Sequence, residues 1–222
     1  MRVTEADIQR VTEAVTAAEA TTDGEIATIV AHQSDSYNDV PWAWAALVAL
    51  LALSVYAAFP DFYLGLLDRM SGGWHVWKMR EWLTVLTVAT AIKLLATRYI
   101  IGWWPARMVF TPGATKTRRV HRRALELFRA TTEHRTKTRT GVLIYLSLAE
   151  HRAEIVADKA IAAKVDDTVW GDAMAAMIVE LKAGHPGEGM AAAVAKVGAV
   201  LAEHFPHTGT DPDEIPNRML LL

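Results

Sequence analysis

Two blocks of the chain lack any alternation of hydrophobic and polar positions. Residues 41–60, PWAWAALVALLALSVYAAFP, carry no charge, and as a helix they rise about 30 Å, the thickness of a bilayer's hydrocarbon core. Residues 82–104 are also long and apolar, interrupted by Lys93 and Arg98. Together they predict a transmembrane helical hairpin. Trp42 and Trp44 open the first span and Trp103 and Trp104 close the second, so the four meet at one membrane interface. Tyr56, Phe59, Trp74, Trp77 and Trp82 collect at the other. Between the spans, Phe59, Phe62, Tyr63, Leu66, Leu67 and Met70 share one helical face that Asp61, Asp68 and Arg69 avoid. Residues 61–81 therefore read as an interfacial segment lying in the membrane surface. Arg98 is close enough to an end to reach headgroups. Lys93 is deeper and costs about 3 kcal/mol on insertion scales; snorkelling or pairing within an assembly explains it better than a transport role.

The rest of the chain is patterned as a water-soluble fold. Thr4 with Asp7 makes a capping box, and Ile8, Val11, Val15 and Ala18 follow at helical spacing. Asp23-Gly24 ends that helix, and residues 25–32, EIATIVAH, read as a strand before a polar loop at 33–40. Residues 142–148 are almost continuously apolar, as suits a strand covered on both faces. The polar break at 150–152 and the run 153–156 make it a β-hairpin, after which Asp158 opens a short helical run through Lys164. A basic helix over 117–138 precedes the hairpin, with Val120, Ala124, Leu127 and Phe128 inward. Two helices, 169–183 and 190–204, follow it, joined by the glycine-rich turn 184–189. Helices alternating with strands imply α/β class: an α/β/α sandwich around a small sheet, interrupted by the transmembrane hairpin. The expected parts are 1–40, 41–104 and 105–222.

Charge adds a topology. Residues 107–139 carry ten Lys/Arg against two acidic residues, whereas residues 140–222 carry six basic and twelve acidic. The basic cluster follows the second span closely, and the connecting loop holds only Arg69, Lys78 and Arg80. The positive-inside rule thus places both termini and the α/β domain on the cytoplasmic side of a multi-pass inner (cytoplasmic) membrane protein. Next to a membrane span, the basic helix suits anionic lipid rather than nucleic acid. The absence of cysteine excludes disulfides and thiol catalysis.

Chemistry is faint. The chain has no Gly-x-x-x-x-Gly-Lys-Ser/Thr loop and no His-Glu-x-x-His. Glu25, Asp158, Asp166 and Asp167 lie near expected strand ends or helix starts, where carboxylates could converge on a hard cation such as calcium; the competing reading makes them caps and turn residues. His204-x-x-His207 with Asp211 and Asp213 has zinc-like spacing, but Phe205-Pro206 breaks a shared helical face.

The segments AEATTDGEIATIV and TRTGVLIYLSLAEHRAEIVADKAI, with Trp170, Gly187-Glu188-Gly189, His204-Phe205-Pro206 and the tail Glu214-Ile215-Pro216-Asn217-Arg218, are similar to blocks of the TPM domain family in the same order. The resemblance covers about 1–34 and 116–218. It implies the family's α/β/α sandwich with a small mixed sheet. It also implies roles that range from membrane-complex assembly, through binding of calcium or another divalent cation, to acid phosphatase activity, with a LemA-type membrane protein as a partner. The expected function is a non-enzymatic membrane interaction module that docks such a partner or itself as a homo-oligomer. The alternative is a divalent-metal-dependent phosphatase-like hydrolase.

Overall fold

The computed structural model describes residues 3–133, 140–208 and 215–222, without the side chains of residues 132, 133 and 167. In chain order the elements are α1 (Glu5–Glu19), β1 (Glu25–Ala31), α2 (Asp39–Ala58), α3 (Pro60–Met70), α4 (Met79–Gly102), α5 (Trp104–Phe110) and α6 (Gly113–Phe128), the last running into a π-helical turn (Arg129–Glu133). Then come β2 (Gly141–Ser147), β3 (Arg152–Ala157), α7 (Lys159–Ala162), α8 (Asp167–Ala183), α9 (Pro186–His204) and β4 (Leu220–Leu221). The chain divides into two compact units: Met1–Asp35 with Gly113–Leu222, and Ser36–Pro112.

The first unit is an α/β sandwich. Its sheet has the order β3-β2-β1-β4, with β1 parallel to both β2 and β4 and β2 antiparallel to β3. Every residue of β1 and β2 is buried, because the pleat sends alternate side chains into two separate cores. Ile26, Val30, Val142, Ile144 and Leu146 face α1, α8 and α9, where they meet Val11, Val15, Met177, Met190 and Leu201. Ala27, Ile29, Leu143 and Tyr145 face α6, whose Val120, Ala124 and Phe128 recur every fourth position. This double covering is why neither strand alternates in sequence.

Local chemistry sets the helix ends. The Thr4 hydroxyl accepts from the Asp7 amide at 3.2 Å and the Thr4 amide donates to the Asp7 carboxylate at 2.8 Å, closing the expected capping box. Gly184 ends α8 with φ of 90°, a left-handed cap that favours glycine. The stretch 184–189, expected as a turn throughout, turns only at its start: Pro186 is already the first residue of α9, where its missing N–H costs nothing. The basic helix likewise begins at Gly113 rather than 117, and residues 134–138 of its expected range lie outside the described residues.

The second unit is a helical hairpin. α2 buries Ala45, Ala49 and Ala52, a run of small side chains that lets α4 approach closely, and Tyr56 one turn beyond them. Its other face exposes Leu47, Leu50, Leu51 and Leu53, and α4 exposes Leu83, Val88, Ile92, Leu95 and Tyr99. α3 is a separate helix with no buried residue, exposing Phe59 at its cap, Phe62, Leu66 and Met70. At the end away from α3, Tyr37, Val40 and Ile101 form a small core with Trp44, Trp104 and Met108 around it. The Trp44 indole donates to the Phe110 carbonyl at 3.0 Å.

Candidate functional site

The register of the sheet sets two of the sequence-predicted carboxylates on one row, with Gly141 between them. Glu25 pairs with Gly141, and the Asp158 amide donates to the Gly141 carbonyl at 2.9 Å, so Glu25 and Asp158 flank Gly141 on one row across β1, β2 and the end of β3. Both are buried, at 8% and 5% exposure. Asp158 also caps α7, accepting from the Lys159 amide at 3.1 Å. Asp166 serves as the cap of α8: one oxygen accepts from the Thr168 amide and hydroxyl, each at 2.9 Å. Those bonds hold its carboxyl below the usual range, the amide contributing most. The side chain of Asp167 lies outside the described residues. Carboxylates are the right donor type for a hard cation, but these two stand on opposite sides of Gly141, two strand spacings apart, about 10 Å between backbones, and Asp166 is already committed to a helix terminus.

The opposite ends of β1 and β2 carry a polar network that no short sequence window reveals. The Ser34 amide donates to Glu150 at 2.8 Å, the Ser34 hydroxyl lies 2.9 Å from the Tyr145 hydroxyl, and the Ser147 hydroxyl bonds the other Glu150 oxygen. Burial raises the Tyr145 phenol above its ordinary pKa, with the Ser34 bond opposing. Asp35 beside it receives Arg119 at 3.2 Å and Arg122 at 3.0 Å from α6. A cavity of about 240 Å³ opens nearby, lined by Leu146, Ser147, Leu148, His151, Ile178, Leu181 and Lys182. Its walls are mainly apolar, and its Ser147 hydroxyl is already bonded to Glu150.

Two further groups of titratable side chains lie in the α/β unit. Among the described residues, Glu180, His185 and Glu188 at the α8–α9 corner form the one set of three potential metal ligands within 4.8 Å of one another. Arg10 shares Glu188 at 3.5 Å, so a cation there meets a competing guanidinium. His207 lies 3.1 Å from Asp23, whose carboxylate also accepts from the Thr208 hydroxyl at 2.6 Å and amide at 2.8 Å. The Thr208 hydroxyl is the main cause holding the Asp23 carboxyl low. Of the zinc-like set, His207 is thus engaged by Asp23, while Asp211 and Asp213 lie outside the described residues.

The helical hairpin holds its own polar contact. Lys93 donates to the Tyr56 hydroxyl at 2.8 Å and lies 5.3 Å from that ring's centre. Lys93 itself is legible as an interruption in an apolar run; its partner, 37 positions away, is not.

Residues 105–200 match the family model of the TPM domain. The NMR structure of BA42 protein from the psychrophilic bacterium Bizionia argentinensis is similar in fold, with a TM-score of 0.57 and 18% identity over 100% of this chain and 97% of that one. No curated protein matches the chain.

Proposed function

We propose, for a chain that carries a TPM domain, the role of a membrane-anchored, non-enzymatic interaction module: the α2–α4 hairpin inserts in the bilayer and the α/β unit docks a membrane partner or further copies of itself. The observation that carries this reading is the outward-facing apolar surface of the hairpin. Both α2 and α4 are long and apolar enough to cross a membrane, yet only 33% and 6% of their most apolar windows are buried. The core helix of a soluble protein hides such a surface, and a monomer in water rarely tolerates one so large. A LemA-type membrane protein is the partner we favour, on the resemblance given above.

The basic residues after α4 support cytoplasmic termini. A cysteine introduced by Ser71→Cys is then expected to react with an impermeant thiol reagent added outside intact cells. Reaction of Ser34→Cys instead would invert the topology.

The role itself is tested on full-length protein purified in mild detergent, by particle mass and identification of co-eluting chains. A stoichiometric membrane partner or a defined homo-oligomer is the expected result. A single small particle that hydrolyses a generic phosphomonoester in the presence of a divalent cation would overturn it. That outcome favours the hydrolase reading, with Glu25, Asp158, Asp166 and Asp167 as the cation set.

A further inference from the structure

Lys93 has a hydrogen-bond partner in its own hairpin but no counter-charge among the described residues. Its contacts with Tyr56 are a hydroxyl at 2.8 Å and a ring face at 5.3 Å, both neutral. No carboxylate side chain lies between Asp39 and Asp61 or between Glu81 and Glu126, so the apolar stretches cannot supply one. The Cα of Lys93 stands about 21 Å from the first residue of α4 and about 14 Å from the last, at 1.5 Å rise per residue. Lys93 is itself exposed and reaches the buried Tyr56 of α2 from the rim of the α2–α4 contact. Ala89 and Ala96, one turn to either side, leave room for another backbone to approach.

We propose that Lys93, positioned by Tyr56, is the docking point for a transmembrane helix of a different protein that carries an Asp or Glu at matching depth. The inference rests on the membrane reading above and adds the chemistry of the partner. An ammonium in hydrocarbon is costly unless neutralised, and a carboxylate from a neighbouring helix does this at short range. After the bond to Tyr56 the ammonium keeps two N–H donors and the phenol keeps its O–H, enough to hold both oxygens of one carboxylate. A second copy of this chain is a poor occupant: at that depth it brings another Lys93 and no acid, so like charges face each other. Charge complementarity therefore selects a heteromeric contact at this face.

The test uses full-length chain reconstituted in neutral phosphatidylcholine vesicles with a synthetic Leu/Ala transmembrane helix bearing one central Glu, association being read by energy transfer between labels. The Glu helix is expected to associate about tenfold more tightly than the same helix with Leu there. Lys93→Leu should erase that preference, and Lys93→Glu should transfer it to a helix with a central Lys. Equal association of the Glu and Leu helices would overturn the proposal, as would a preference unchanged in Lys93→Leu. Self-association lost in Lys93→Leu would equally overturn it, by making a second copy the occupant. So would a result in which added phosphatidylglycerol abolishes the Glu preference by taking Lys93, leaving it a lipid contact only. Flotation separates the two readings: a chain that fails to float with the vesicles removes the membrane reading itself, whereas one that floats without Glu preference removes only this partner.

Discussion

Replacing Leu143 with alanine is expected to weaken the α/β unit by about 2–5 kcal/mol, the range for deleting a buried leucine side chain and leaving a cavity. Leu143 is fully buried in β2 between Ala27, Ile29 and Tyr145 of the sheet and Val120, Ala124 and Phe128 of α6. The inner face of α6 is held by a short helical stripe, so it cannot collapse far into the gap. Such a loss is a large part of the roughly 5–15 kcal/mol that holds a domain folded. The measurement is amide hydrogen exchange of the full chain in detergent. At about 1.4 kcal/mol per tenfold, the slowest β1 and β2 amides should exchange roughly thirtyfold faster or more. Leu47→Ala makes the same chemical change on the exposed face of α2 and should leave those amides unaltered. Equal effects of the two substitutions would remove the two-core description of the sheet.

Gly198→Val should be comparably damaging for the opposite reason. A Cβ at Gly198 would stand 2.5 Å from the Cβ of Ala18 and 3.3 Å from its Cα, where α9 crosses α1. The obstacle is next to backbone, so no flexible side chain can swing aside. Forcing extra atoms into a packed contact costs about 1–3 kcal/mol, and valine, adding three carbons, belongs at the upper end. The mechanism is separable from helix propensity by a cycle: Gly198→Ala should be tolerated better in an Ala18→Gly background than alone. A coupling of at least about 0.5 kcal/mol is expected for side chains in direct contact. Additive effects would mean that the two helices adjust and that the contact does not limit the packing.

These two sites mark the boundary of what the sequence reveals. The α1 capping box, the all-apolar β2 strand and the left-handed Gly184 each follow from a few adjacent residues, so local reading finds them. Gly198 looks like an ordinary weak point in a helix until α1 is laid across it. β4 is two residues long and gains its identity only from parallel pairing of Leu220 and Leu221 with Ile29 and Val30. Sequence patterning starts α9 too late because glycine and proline normally signal a break, whereas here Gly184 caps α8 and Pro186 begins the next helix. Among candidate site residues, strand register sets Glu25 and Asp158 on one row either side of Gly141, a relation that closeness to strand ends alone does not specify. The Ser34–Tyr145–Glu150 network joins positions more than a hundred residues apart, and no spacing in the chain encodes it.

The parallel pairing of β1 with β2 spans the whole hairpin, and this sets an order of events during synthesis. The ribosome completes β1 at Ala31 and β2 at Ser147. At about 5–20 residues per second, roughly 6–23 s pass between them. Through that interval an apolar strand waits without its central partner while residues 36–112 leave the ribosome and, on the membrane reading proposed above, enter the bilayer. The sheet would then close only after that step had returned the chain to the side where β1 was left. On that reading, assembly of the domain is a built-in report that the hairpin has gone in with both ends on one side. A chain whose second helix failed to return would keep two halves of a sheet on opposite faces of the membrane, each with an unpaired apolar edge.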